Sequence, residues 1–295
     1  MDGIDRSAAE RAAPTRRVLV RRHSGTVRVT HWVNVLCFGI LLMSGLQIFN
    51  AHPELYWGQY GADADWSFLA LEAKRGDDGT IEGVTRIGAL EIPTTGVLGA
   101  SAVNGEIRPR GFPNWATLPG FRNLAEGRRW HFFFAWLFVI NGFAYLLYGL
   151  VAGHFRRDLA PSRDQLAPRH LWHEIVTHAR LRFPKGEEAR RYNALQKLAY
   201  CGVAFILLPV MVLTGLTMSP GMDAALPWLV DLFGGRQSAR SLHFIAATLL
   251  VLFVVIHLAM VFASGLFNNL RSMITGRYAI ETEDRKSTRL NSSHT

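Results

Sequence analysis

Four stretches of this chain, 29–50, 131–153, 198–218 and 242–264, are each long and apolar enough to cross a bilayer as a helix. Backbone groups in lipid must be satisfied within their own segment, so isolated strands do not suit such runs. A single run would fit a buried core helix of a soluble protein. Four, two of them opening with histidine and aromatic residues, fit a membrane bundle instead. The expected fold class is all-α integral membrane, a four-transmembrane-helix bundle. Residues 1–28 form a head and 29–278 the membrane domain, with an outer loop at 51–130 and a cytoplasmic loop at 154–197.

Basic residues orient the spans. Arg6, Arg11, Arg16, Arg17, Arg21, Arg22 and Arg28 precede the first, and Arg156, Arg157, Arg163, Arg169, Arg180, Arg182, Lys185, Arg190 and Arg191 separate the second from the third. Both segments are expected in the cytoplasm, and with them both termini of a multi-pass membrane protein. The connection 219–241 carries only Arg236 and Arg240, as the far side should. The formal charge of +9 therefore has a topological explanation and gives no case for nucleic-acid binding. The first residues lack the apolar centre and cleavage site of a signal peptide, so the first span is expected to be retained.

Histidines carry the chemistry. His243 and His257 lie fourteen residues apart in the fourth run. At 100° and 1.5 Å per residue, that spacing brings them within about 40° of one face and about 21 Å apart along the axis. His31 and His131 stand at the mouths of the first and second runs. With the N-terminus inside, His31 and His257 fall at the inner depth, and His131 and His243 at the outer. An ionisable side chain such as His257 inside an apolar span is costly and invites a functional reading. Two imidazole pairs at two depths are the ligand set of two b-type haems, each iron held from both sides between low-polarity walls. A Cys-x-x-Cys-His attachment motif is absent, so the haems would be held without thioether links. His23 and His154 are the substitute ligands.

Gly45, fourteen residues beyond His31, would either admit a porphyrin edge at the outer level or serve close helix packing. Arg129 and Arg240 flank ligand-bearing ends on the outer side and are candidates for the haem propionates, Arg28 less so. Cys37 and Cys201, both within spans, are expected in packing. The eighty-residue connection is too long for a passive turn. Trp57, Tyr60, Trp66, Phe112 and Trp115 are spread through it, as in a small folded cap or an interfacial aromatic belt. Residues 169–183 read as an amphipathic helix along the headgroups, and Pro209 should bend the third span. Residues 284–295 read as one frame of a sequencing adapter, a non-native tail.

The segments RVTHW at 28–32, RRWHFFFAW at 128–136 and the fourteen-residue histidine spacing resemble the cytochrome b561-like subunits of bacterial respiratory oxidoreductases. Further stretches, LLMSGLQIFNAHPELYWG, GLVAGHFRRDL, LTGLTMSPGM and GGRQSARSLHF, resemble the thiosulfate-reductase-type cytochrome b proteins. The resemblance covers about residues 16–278 and implies His31, His131, His243 and His257 as haem ligands. It also implies a partner, an extracytoplasmic molybdopterin oxidoreductase, and exchange of electrons with membrane quinone. A self-contained haem reductase of a small outer substrate, or a non-redox anchor or assembly factor, are the alternative functions.

Overall fold

The computed structural model describes residues 15–62, 65–180 and 193–283. They fall into two compact units, one of residues 29–154 and 199–256, the other of the described parts of 1–28, 155–198 and 257–295. Four helical segments have the length and hydropathy of membrane spans: α1 (Gly25–Phe49), α2 (Leu124–Val151), the segment Ala194–Thr217 and α8 (Arg236–Ala263). Few of their side chains are buried. On α2 the exposed Trp136, Ile140, Phe143 and Leu147 recur every three to four residues, which is the stripe a helix turns toward lipid.

The inward seams are small and polar. Thr30, Cys37 and Ser44 on α1 are buried at seven-residue spacing, as are Gly127, Phe134 and Asn141 on α2. Asn141 Nδ2 donates to the Thr30 carbonyl (2.9 Å) and to Asn34 Oδ1 (2.8 Å). At the other end of the same pair, a Cβ on Gly127 would sit 2.9 Å from Gln47 Cγ. Small residues let these antiparallel helices approach closely enough for side chains to bond across them. The third span is composite: α4 (Ala194–Gly202), a π turn (Val203–Leu207) and α5 (Leu208–Thr217). Pro209, which has no N–H for a helical bond, follows that wide turn directly.

The all-α expectation needs correction in the long connection. Residues 54–93 make an antiparallel sheet in the order β2 (Glu54–Leu55), β3 (Leu69–Arg75), β4 (Ile81–Ile87), β5 (Leu90–Pro93), and β6 (Ala100–Val103) pairs with β7 (Glu106–Pro109). The reason is local. Turn residues recur every few positions, too often for a helix, and Asn104 and Gly105 both take positive φ between β6 and β7, as a two-residue hairpin turn requires. Leu55 and Leu71 pack with Phe49 at the end of α1, against Phe112 and Phe244. Buried Arg110 clamps the loop that follows, donating to Gln47 Oε1 (3.0 Å), Thr117 Oγ1 (2.7 Å) and the Phe112 carbonyl (2.8 Å).

In the other unit, β1 (Thr15–Arg21) and β8 (Arg277–Glu283) form an antiparallel ribbon, a second departure from an all-α fold. It joins the head to the chain beyond the last span. The amphipathic segment expected at 169–183 is helix α3 (Pro168–Ala179); residues 181–183, like the tail at 284–295, lie outside the described residues. The connection 219–235 holds α6 (Pro220–Ala225) and α7 (Trp228–Leu232), and α9 (Leu266–Thr275) follows α8.

Candidate functional site

His131 on α2 and His243 on α8 face one another with ring centres 6.3 Å apart and planes at 63°. Each ring is held the same way by a different helix. Ser44 Oγ lies 3.1 Å from His131 Nδ1, and Thr214 Oγ1 lies 3.0 Å from His243 Nδ1. Both hydroxyls already donate their single proton to a carbonyl four residues back, Ser44 to Ile40 and Thr214 to Val210, at 2.6 Å each. A hydroxyl has one proton to give. With each hydroxyl proton on its own helix, the ring nitrogen is the donor, an arrangement that puts the proton on Nδ1 and leaves the lone pair on Nε2.

The residue after each hydroxyl is glycine. A Cβ on Gly45 would stand 3.4 Å from His131 Cε1, and one on Gly215 would stand 3.4 Å from His243 Cε1. An alanine Cβ would just meet the ring there, and a longer side chain would displace it. The neighbour of Gly45 is thus the imidazole itself. The pairs Ser44-Gly45 and Thr214-Gly215 make two equivalent half-sites, one from α1 with α2 and the other from α5 with α8.

This arrangement suits one metal between two neutral imidazoles. Metal–imidazole bonds of about 2 Å set ring centres roughly 6 Å apart, and the spacing here is 6.3 Å. Among the described residues no group of three or more His, Cys, Asp and Glu has the geometry of a metal site. An ion held by this pair takes its remaining donors from outside those side chains, and a haem macrocycle supplies such a set.

The other expected residues fall as follows. Arg240, one turn from His243, lies beneath the long connection, where its guanidinium donates to the His52 carbonyl and the Glu54 carbonyl (2.8 Å) and sits 5.2 Å from the Phe49 ring centre. Ser241 Oγ donates to the Tyr56 carbonyl (2.6 Å) and Gly58 N–H to Ser238 Oγ (2.7 Å), so the start of α8 is stitched to residues 52–58. Arg129 is exposed. His31 packs edge-on to Trp32, 5.5 Å between centres, beside the Thr30 carbonyl and Asn34 that Asn141 holds. His257 is half-buried on α8 in the other unit. His154 contacts Tyr145 and Tyr148, 6.1 and 6.0 Å between centres. Sequence reasoning missed Ser44, Thr214 and Gly215, although SGL at 44–46 and TGL at 214–216 repeat one pattern.

Four helices long and apolar enough to cross a membrane, two of which bring His131 and His243 together, define the class as a helical membrane protein with a paired-imidazole site. The comparisons give the class its family: the model for prokaryotic cytochrome b561 matches residues 22–276, and the chain belongs to that family of membrane b-type cytochromes. It is also similar to a putative protein-methionine-sulfoxide reductase subunit, YedZ1, of Azospira oryzae. The two are 28% identical over 240 residues, which are 81% of this chain and 89% of the relative. No solved structure matches.

Proposed function

We propose that this chain is the electron-carrying membrane subunit of a quinone-linked oxidoreductase and holds two haems b, one between His131 and His243 and one on His31 and His257. The observation that carries the reading is the His131–His243 pair, with ring centres 6.3 Å apart and each Nδ1 within hydrogen-bond distance of a hydroxyl on a neighbouring helix. Bound haem supplies a one-electron ferric/ferrous couple. The chain's own residues hold and orient. Ser44 and Thr214 fix the tautomer and rotation of both rings, Gly45 and Gly215 give the rings room, and the apolar spans keep water away. The second haem rests on sequence alone, on the fourteen-residue step from His243 to His257 and on His31 at the matching depth of α1. Arg129 and Arg240 are the proposed propionate partners.

Charge asymmetry supports an inner-membrane orientation with both termini in the cytoplasm, which sets the His131–His243 pair and the β-rich connection on the outer side. The relative's name makes it a reductase subunit, which supports a separate catalytic partner for this chain too. We assign that partner as an extracytoplasmic molybdopterin oxidoreductase, with membrane quinone at the inner haem as the other electron carrier. Haem quantified per chain, together with identification of what co-purifies in mild detergent, tests the proposal. Two non-covalent haems and a redox enzyme are expected. Two haems with no partner, and direct turnover of a small substrate, would instead favour a self-contained reductase. Absence of haem would leave only an anchor.

A further inference from the structure

We infer that α9 and the terminal β-ribbon form a binding surface for anionic phospholipid at the end of the fourth span. The geometry begins where α8 ends at Ala263. Gly265 turns the chain with φ of 109°, and α9 starts at Leu266. Asn269 fixes the fold-back: its Nδ2 lies 2.9 Å from Ser264 Oγ and 3.1 Å from the Gly265 carbonyl, so α9 is tied to the last turn of a membrane span. Asn268 ties it on its other side to β8, accepting from the Ala279 N–H and donating to the Ala279 carbonyl, both at 2.9 Å.

This anchoring turns Ser272 inward, where it is buried, and leaves Phe267, Leu270 and Ile274 on one exposed face, with Phe267 81% exposed. Spacings of three and four residues make a continuous apolar stripe. A stripe beginning four residues after a transmembrane helix lies at the bilayer boundary, and the occupant that continuity supplies is lipid.

Charge names the kind of lipid. Arg271 borders the stripe, and Arg21 on β1 and Arg277 on β8 are cross-strand partners that project from the same face of the ribbon. Like charges directly opposite in a ladder repel, and among the described residues no carboxylate pairs with Arg21, Arg271 or Arg277. Exposed Leu19 lies beside this pair on the same face. An anionic headgroup between the arginines, with acyl chains along Phe267 and Leu270, satisfies both halves of the surface.

Native mass spectrometry of the full chain in mild detergent, titrated with phosphatidylglycerol, phosphatidylcholine or inorganic phosphate, tests the assignment. Wild type should retain phosphatidylglycerol in several-fold excess over phosphatidylcholine. Arg21→Glu with Arg277→Glu should abolish that excess, and Phe267→Ser with Leu270→Ser should lower retention of both lipids. Circular dichroism checks that the variants fold; if the charge reversal does not, Arg21→Gln with Arg277→Gln gives the same readout. Equal retention of the two lipids by wild type, or a preference that survives loss of both arginines, overturns the proposal. So does displacement of the lipid by an equal concentration of inorganic phosphate, which marks a free-phosphate site. Unchanged retention in the Phe267/Leu270 variant also overturns it, and leaves the stripe to a protein.

Discussion

A hydroxyl whose only proton is spent on its own helix can do one thing for a neighbouring imidazole, which is to accept from it. Ser44 and Thr214 are both in that position. Partners of this kind orient a ligating ring and raise its basicity, and losing one typically weakens metal binding by about 10- to 100-fold. Ser44→Ala and Thr214→Ala should each weaken retention of the same haem by about that factor. Each should also raise its midpoint potential, because a less basic imidazole stabilises the ferric state less. Ser44→Thr and Thr214→Ser should restore both properties. Redox titration beside haem quantification checks this, and an unchanged potential in both alanine variants would sink it. Steric demand gives a second test at Gly45 and Gly215. With 3.4 Å to the ring, an alanine is nearly accommodated, whereas Gly45→Leu or Gly215→Leu must displace an imidazole. Absorption spectra should show one haem lost in either leucine variant and little change in the alanine ones. The histidines themselves were legible in the sequence, because an imidazole in an apolar run is costly and stands out. Their partners were not, since serine, threonine and glycine are ordinary packing residues of transmembrane helices, and only contact distinguishes one role from the other.

Elements show the same division. The spans were legible because bilayer thickness imposes a length and a hydropathy that no other element needs, and observed and expected boundaries differ mainly at the N-termini, by about one turn in α1 and the third span and about two in α2 and α8. The strands of the long connection were not read, although SAVNGEI carries a hairpin signal in its Asn-Gly pair. Short strands and closely spaced turns give too little periodicity to separate a sheet from an irregular cap. What fastens this sheet to the bundle also lies outside sequence patterns: an arginine at each of two helix ends, Arg110 buried and Arg240 part-buried. Arg110 reaches the end of α1 through Gln47, and Arg240 reaches the carbonyls of residues 52 and 54 from the start of α8. Hydrogen bonds from charged groups contribute about 1.5–3 kcal/mol each. Arg110→Met removes three such bonds and leaves Gln47 Oε1 and Thr117 Oγ1 short of a donor. It should free the connection locally, with faster amide exchange across 110–122 and unchanged exchange in the spans. Equal protection in wild type and variant would show that the aromatic cluster around Phe49 holds the segment unaided.

At the scale of the whole molecule, electrons must leave the bundle on the side that carries the β-rich connection if the proposed partner is to receive or deliver them there. The most exposed aromatic side chains on that connection are Tyr60, Trp66 and Trp115, at 83%, 69% and 74%; Phe121 and Trp57 are exposed to a lesser degree, Trp57 while stacking on Phe68 with 5.0 Å between ring centres, and Phe112 is drawn into the cluster with Phe49. Exposed tryptophan and tyrosine serve equally well in a membrane-interface belt or as anchors of a protein interface, and position separates the two. Trp66 precedes β3, and Trp115 lies in a short 3₁₀ turn after β7, both outside the spans. We expect Trp66→Ser with Trp115→Ser to lower the rate of electron exchange with the purified partner by tenfold or more, since truncating an interface anchor typically costs about 2 kcal/mol or more. Reduction of the haems by quinol should be unaffected, because both residues are exposed and lie outside the spans. Stopped-flow absorption with each reaction in turn separates the outcomes. Loss of partner exchange alone marks a docking surface; loss of both, with poorer recovery from membranes, marks a belt that sets the depth of the bundle. Unchanged exchange with the partner would move the docking surface to the connection 219–235, where Trp228 and Leu232 on α7 are the next exposed apolar side chains.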